Sequence, residues 1–199
     1  SGAKSFAAVA GKIAKESGMK VALSGVGGDE IFAGYPSFSQ IPKLVRAVSM
    51  LPCNAMVGRG LRRIAAPLIK GFTSSKYASI VEYGGSYSKA YLLRRGLYMP
   101  WELPKVLDRE MVREGLRDLQ PLLHLEESVS GVDGEKLKVS IMELTHYMRN
   151  QLLRDADWAG MAHSLEIRTP LVDIELFRSL ILLLVTEQHP GKKHMAMTP

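Results

Sequence analysis

A short apolar run, Lys20-Val-Ala-Leu23, breaks at Ser24 into Gly25-Val26-Gly27-Gly28 and then into two adjacent carboxylates, Asp29 and Glu30. The run has the β-branched, apolar character of a short buried strand. Gly25, Gly27 and Gly28 let the backbone turn sharply and approach a ligand without a Cβ in the way. Asp29 and Glu30 then open a helix. Backbone N–H groups exposed at such a strand-loop-helix junction can receive phosphate oxygens, and a carboxylate beside them can hold the Mg2+ that accompanies a nucleotide. The same residues also suit ordinary capping and dipole chemistry, so glycine spacing alone leaves both readings open.

Upstream, Phe6, Val9, Ala10, Ile13 and Ala14 form a helical stripe over Ser5–Ser17, with Gly18 as its C-cap. Helix followed by strand is half of a βαβ unit. Nothing after Leu23 reads as a second strand, so the partners of this one are expected upstream of Ser1. The chain has no initiator Met and reads as a fragment.

The 199 residues suit one domain or a little more, and 46% hydrophobic residues with a mean hydropathy of +0.01 describe a water-soluble globular chain. A net charge of +6 favours anionic partners. Nucleic acid is not expected among them, because the basic residues are scattered through helices and not interleaved with aromatics. Cys53 is the single cysteine, which excludes an internal disulfide and a Cys-based zinc site and fits a reducing cytoplasm. No signal peptide is visible, and Leu180-Ile-Leu-Leu-Leu-Val185 is too short for the roughly 20 apolar residues that span a bilayer.

After Pro36 the sequence predicts helices over Phe38–Met50, Ala55–Lys70, Lys76–Tyr83, Ser88–Leu97 and Pro104–Leu119, punctuated by prolines. Arg59, Arg62, Arg63 and Lys70 on the second of these read first as a solvated face and second as a phosphate or lipid surface. Ser128–Gly134 reads as a flexible connector. A long helix over Glu135–Trp158 follows, with Leu137, Ile141, Leu144, Met148, Leu152 and Leu153 as its buried stripe. Around its end lie Arg154, Asp155, Asp157, Met161, His163, Glu166 and Arg168, before Thr169-Pro170 enforces an extended turn. No ligand set of His-x-x-x-His type accompanies His163, so a metal centre is not the primary reading. Two readings stay open for Asp157, Glu166 and Arg168: a substrate role, or an ion-pair network locking helix to loop.

Ser24-Gly-Val-Gly-Gly-Asp-Glu-Ile-Phe-Ala-Gly-Tyr-Pro36 closely resembles a signature of the asparagine synthetase family, glutamine-dependent amidotransferases with an ATP-pyrophosphatase synthetase domain. Tyr147-Met-Arg-Asn-Gln-Leu-Leu-Arg-Asp-Ala-Asp-Trp-Ala-Gly-Met-Ala-His-Ser-Leu-Glu-Ile-Arg-Thr-Pro-Leu-Val-Asp173 is similar to the later signature of that family. The resemblance covers most of the chain and implies an α/β fold of the adenine nucleotide alpha hydrolase-like, PP-loop superfamily. Residues 1–199 would be the C-terminal portion of its synthetase domain, mainly α-helical with one or few strands. It further implies ATP and Mg2+ as cofactors, aspartate or a related carboxylate as acceptor, activation as an acyl-adenylate, and ammonia from a glutaminase domain. A homodimer of the complete protein and a cytoplasmic location, with no nucleic acid and no membrane, go with it. By position, Ser24, Gly25, Gly27 and Gly28 match the cofactor-binding loop and Asp29 a Mg2+ ligand. Val26, Glu30, Asp157, Glu166 and Arg168 would line or brace the acceptor pocket.

Three departures qualify that resemblance. Val26 stands where many members carry a polar residue able to face the acceptor. The chain has neither the glutaminase domain with its nucleophilic Cys nor the Ser-Gly-Gly-x-Asp-Ser pyrophosphate loop. Gly191–Pro199 resembles the segment before the family's catalytic Lys, a role that Lys192 and Lys193 do not fill. The isolated chain is therefore expected to be inactive as a synthetase. The rival readings are a relative with another acceptor, such as a β-lactam synthetase or polysaccharide amidotransferase, and a non-catalytic helical interaction module.

Overall fold

The computed structural model describes residues 13, 16–51, 55–69 and 74–185. Most of the Ser5–Ser17 stretch, Cys53, Lys70, His189, Lys192, Lys193 and His194 lie outside them. The chain divides into two compact units, Ser1–Tyr35 with Ser140–Pro199, and Pro36–Val139.

In the first unit, strand β1 (Val21–Leu23) is preceded by a helix end at which Ser17 N–H donates to Ile13 O and Gly18 takes φ 72°, the left-handed C-cap expected of it. The expected absence of a second strand is wrong. Glu166–Arg168 forms strand β2, parallel to β1, in the register Val21 to Glu166, Ala22 to Ile167 and Leu23 to Arg168. Glu166 N–H donates to Lys20 O at 2.9 Å and Ser24 N–H to Arg168 O at 2.8 Å. Among the described residues the sheet has these two strands. Alternation puts Ala22 and Ile167 on a half-buried face, and Val21, Leu23, Glu166 and Arg168 on an exposed one.

The chain reaches β2 from a helical run that starts as an α-helix over Glu135–Met142, becomes a π-helix over Glu143–Leu152, and returns to α over Leu153–Met161. Leu153 N–H bonds Met148 O, an i→i−5 step that a 3.6-residue reading of the stripe does not foresee. Leu137 and Met148 of the expected stripe are buried and the other four half-buried. The run ends in a Schellman closure: Leu165 N–H donates to Gly160 O at 3.0 Å and Ser164 N–H to Met161 O at 3.1 Å, with Ser164 at φ 55°. That reversal starts β2. Beyond Thr169-Pro170, the Asp173 carboxylate accepts from Leu176 N–H at 2.8 Å and caps a helix over Ile174–Val185.

The second unit is helical. Ser37–Ser49 and Ala55–Ile69 match their predicted spans within a residue. Lys76–Tyr83 divides into a 3-10 turn, Ser75–Ser79, and a single α turn, Ile80–Tyr83, before a helix over Tyr87–Arg95. The predicted run Pro104–Leu119 is a 3-10 turn at Leu103–Lys105 and a separate helix, Arg109–Leu119, whose Asp108 cap accepts from Glu110 and Met111 N–H. Gln120 at φ 37° and Pro121 then start a helix over Pro121–Ser128 that the pattern did not reveal. Tyr83, Leu93 and Met99 form the core cluster, with Leu44, Tyr77, Leu92, Trp101 and Leu122 packed on it.

The arginines of Ala55–Ile69 are largely absorbed within this unit. Arg59 and Arg62 both reach Glu82, at 3.6 and 3.0 Å, and Arg62 lies 4.8 Å from the Trp101 ring centre, with Lys105 at 4.5 Å. Basic and aromatic side chains separate in sequence thus meet in space as intrachain cation–π contacts. No described helix is long and apolar enough to cross a membrane.

Candidate functional site

The β1 pairing brings the two signature segments together within the first unit. Leu23 leads into Ser24, whose Oγ accepts from Val26 N–H at 3.3 Å, and Gly28 N–H closes the turn on Gly25 O at 3.1 Å. Gly27 sits at φ 98°, which L-residues avoid, and a Cβ on it would lie 3.0 Å from Leu171 O and 3.2 Å from Val172 Cγ2. A Cβ on Gly28 would meet Leu171 Cδ1 at 3.1 Å. These two glycines therefore serve close packing of the loop beneath the Leu171–Val172 segment. Gly25 is different: a Cβ there would meet nothing within 4 Å. It is the open glycine of the loop.

The helix that Asp29 and Glu30 enter is one turn, Gly28–Ile31. So short an element has too few aligned peptides for a helix macrodipole, and the loop offers an anion individual backbone groups only. The two carboxylates diverge in environment. Asp29 is half-buried. Glu30 is 1% exposed, and its carboxylate accepts from the Tyr35 hydroxyl at 2.9 Å. Burial pushes the Glu30 carboxyl above the ordinary carboxylate range. Hydrogen bonds from its own backbone and from Tyr35 oppose the rise, and the charges of Asp29 and Glu143 add to it. Burial and the Glu30 carboxylate likewise raise the Tyr35 hydroxyl. From the long helix, Ser140 Oγ donates to Glu30 O at 2.8 Å, and the Tyr147 ring meets Tyr35 edge-on at 6.1 Å. Tyr35, Ser140 and the fully buried Glu143 were not singled out in the sequence; for Ser140 and Glu143 the available signal was a polar residue on the buried side of the long helix.

Asp157, Glu166 and Arg168 do not act as one cluster. Arg168 Nε pairs with Glu166 at 2.8 Å on the exposed sheet face, a solvent-screened contact of small energetic weight. Among the described residues Asp157 forms no ion pair with either, so the network that would lock helix to loop is not formed. Asp157 and Glu166 instead share a cleft of about 530 Å³ with Lys20, Ser164 and Thr169 over an apolar floor that includes Ile167. Ser24, Gly25, Val26, Gly27, Gly28, Asp29, Glu30 and Arg168 are not among its lining residues. Val26 is half-buried in the loop.

Among the described residues no three His, Cys, Asp or Glu side chains gather as a metal cage. Nucleotide-bound Mg2+ needs one or two carboxylates beside phosphate oxygens and water, and Asp29, half-buried and four residues beyond the open Gly25, is of the chemical type that could serve as one of them.

The fold and this loop define a mostly helical chain with a small parallel sheet, carrying a glycine loop at the C-terminal end of a strand. The asparagine synthase family matches residues 3–183, and the chain belongs to that family. It is 28% identical over 160 residues to a protein of Mycobacterium tuberculosis provisionally named asparagine synthetase (glutamine-hydrolysing), covering 80% of this chain and 23% of that one. It is 26% identical over 165 residues to asparagine synthetase (glutamine-hydrolysing) 1 of Bacillus subtilis, covering 79% and 24%. The chain thus spans about a quarter of the length of these curated relatives. No solved structure matches it significantly.

Proposed function

We propose that the chain is the part of an ATP-dependent, asparagine-synthetase-type ligase that carries the second half of the nucleotide site. The complete protein would activate a carboxylate, aspartate first among the candidates, for attack by glutamine-derived ammonia. The observation that supports this most is the seating of the Ser24–Asp29 loop: Ser24 bonds Arg168 through the backbone, and Gly27 and Gly28 pack against Leu171, so the two signature segments buttress one another.

In this reading the nucleotide and Mg2+ supply the leaving group and the charge that stabilises its departure. Ser24 and Gly25 receive the adenylate through an unobstructed backbone, Gly27 and Gly28 hold the turn, and Asp29 takes one position on the metal. Glu30 braces the loop from below. Asp157, Glu166 and Lys20 offer an amino-acid-like ligand both signs of charge in one cleft. Val26 offers an acceptor no polar group, which favours as second reading a family relative acting on a different carboxylate.

The test is a Mg-ATP titration of the purified chain followed by backbone amide NMR. Shifts at Gly25, Gly27 and Gly28 that lose their Mg2+ dependence in Asp29→Ala are expected, with no pyrophosphate released. Amides of residues 24–29 that stay unmoved at saturating Mg-ATP would overturn the assignment.

A further inference from the structure

The turn after Gly28–Ile31 holds the two neighbouring carboxylates by consecutive residues. Ala33 takes φ 53°, a left-handed conformation that costs an L-residue about 1–2 kcal/mol. The residues flanking it show what that strain holds in place. Gly34 N–H donates to Asp29 O at 2.9 Å, and the Gly34 Cα lies flush against the Asp29 side chain. A Cβ there would be 2.8 Å from Asp29 Cγ and 3.1 Å from its Cβ, closer still to Oδ1. Gly34 has an ordinary φ and is exposed, so its lack of a side chain answers to Asp29 and not to backbone conformation. Tyr35, the next residue, turns back to donate its hydroxyl to Glu30 at 2.9 Å and is itself seated on the Tyr147 ring.

From this geometry we propose that Ala33-Gly34-Tyr35 is a positioning clamp that sorts the two carboxylates. Tyr35 retains Glu30 in the interior as a brace, and Gly34 leaves room for the Asp29 carboxylate in the one orientation that packs against its bare Cα. Gly34 and Tyr35 are positioning residues: they act on a bound cation only through Asp29 and the loop. The functional consequence rests on the nucleotide-site reading above, whereas the clamp itself is a statement about side-chain coupling.

The experiment is a double-mutant cycle on the full 199-residue chain with Gly34→Ala, Asp29→Ala and the pair, read by urea unfolding and by Mn2+-ATP binding. A methyl group at Gly34 collides with Asp29 Cγ and Oδ1, atoms that Asp29→Ala removes. Gly34→Ala alone is therefore expected to raise the unfolding equilibrium constant by up to about tenfold as Asp29 is forced out of its orientation, and to change it little in the Asp29→Ala background. If Gly34→Ala does not fold, recovery of the folded state in the double variant carries the same meaning. Tyr35→Phe, which keeps the ring contact and loses the hydrogen bond, is expected to weaken Mn2+-ATP binding with the fold intact. An equal cost of Gly34→Ala in both backgrounds, failure of the double variant to recover, or unchanged Mn2+-ATP affinity in both Gly34→Ala and Tyr35→Phe overturns the clamp. A wild-type chain that binds no Mn2+-ATP overturns the nucleotide reading instead, and the stability cycle still decides the coupling.

Discussion

Gly160→Ala sets two effects of known size against each other. Alanine in place of a helical glycine ordinarily gains up to about 1 kcal/mol, less near a helix end. Gly160 is the penultimate residue of the α-helix Leu153–Met161, where its added Cβ would stand 2.6 Å from Leu165 O and 3.0 and 3.1 Å from Ile167 Cγ1 and Cδ1. Leu165 O belongs to the backbone and is fixed by the Schellman closure that Gly160 itself accepts, so it cannot give way as a flexible side chain would. Relief requires β2 to move off the helix. Overpacking of this kind costs about 1–3 kcal/mol, and loss of the closing hydrogen bond about 1 more. The net expectation is destabilisation by about 1–3 kcal/mol, the close approach outweighing propensity. Urea unfolding followed by far-UV circular dichroism measures it. Gly115→Ala is the internal control, since a Cβ there meets nothing within 4 Å, and it should raise the midpoint by the propensity term alone. A Gly160→Ala midpoint at or above wild type would show that β2 does not rest on Gly160 and would refute the reasoning.

Two further substitutions test local energetics. Glu30 has a carboxyl raised above its ordinary 4.5, so the folded state holds a proton that the unfolded state has already lost. Its contribution to stability is therefore present at low pH and declines as pH rises through the window that begins near 4.5 and extends upward. Glu30→Gln, which can still accept from Tyr35, should flatten that decline, and pH-dependent unfolding curves with the same slope in both proteins would contradict it. Ser164→Gly relieves a left-handed serine at the Schellman position, so a gain of about 0.5–1 kcal/mol is expected in urea, and a loss would count against it.

The sequence carried the first half of the site plainly because β-branched residues, glycines and acids follow one another in chain order, and each constrains its own backbone. Gly18 and Gly27 take the left-handed conformations that glycine there invites. β2 was hidden because Glu166-Ile-Arg168 has one apolar residue between two charges, and only the alternation from Leu165 to Thr169 marks it as a strand. Its charged residues face solvent, so composition read it as loop. The π-helical stretch was hidden for a different reason: its i→i+5 bonds preserve the general spacing of apolar residues while displacing which of them are buried. The roles of Tyr35 and Ser140 depend on partners 5 and 110 residues away, which no local pattern encodes.

The register between Val21 and Glu166 closes a loop of about 145 residues, so the site belongs to the slow, non-local part of folding. The Ser24 loop can be held only after the chain has travelled out through Pro36–Val139 and returned. Once closed, the two ends respond differently to evolution. Doubling the length of the excursion costs only about 0.6 kcal/mol of closure entropy, which leaves it free to grow or shrink. A one-residue slip of β2 would turn Ile167 outward and bring Glu166 and Arg168 to the inner face, so the pairing admits no such latitude.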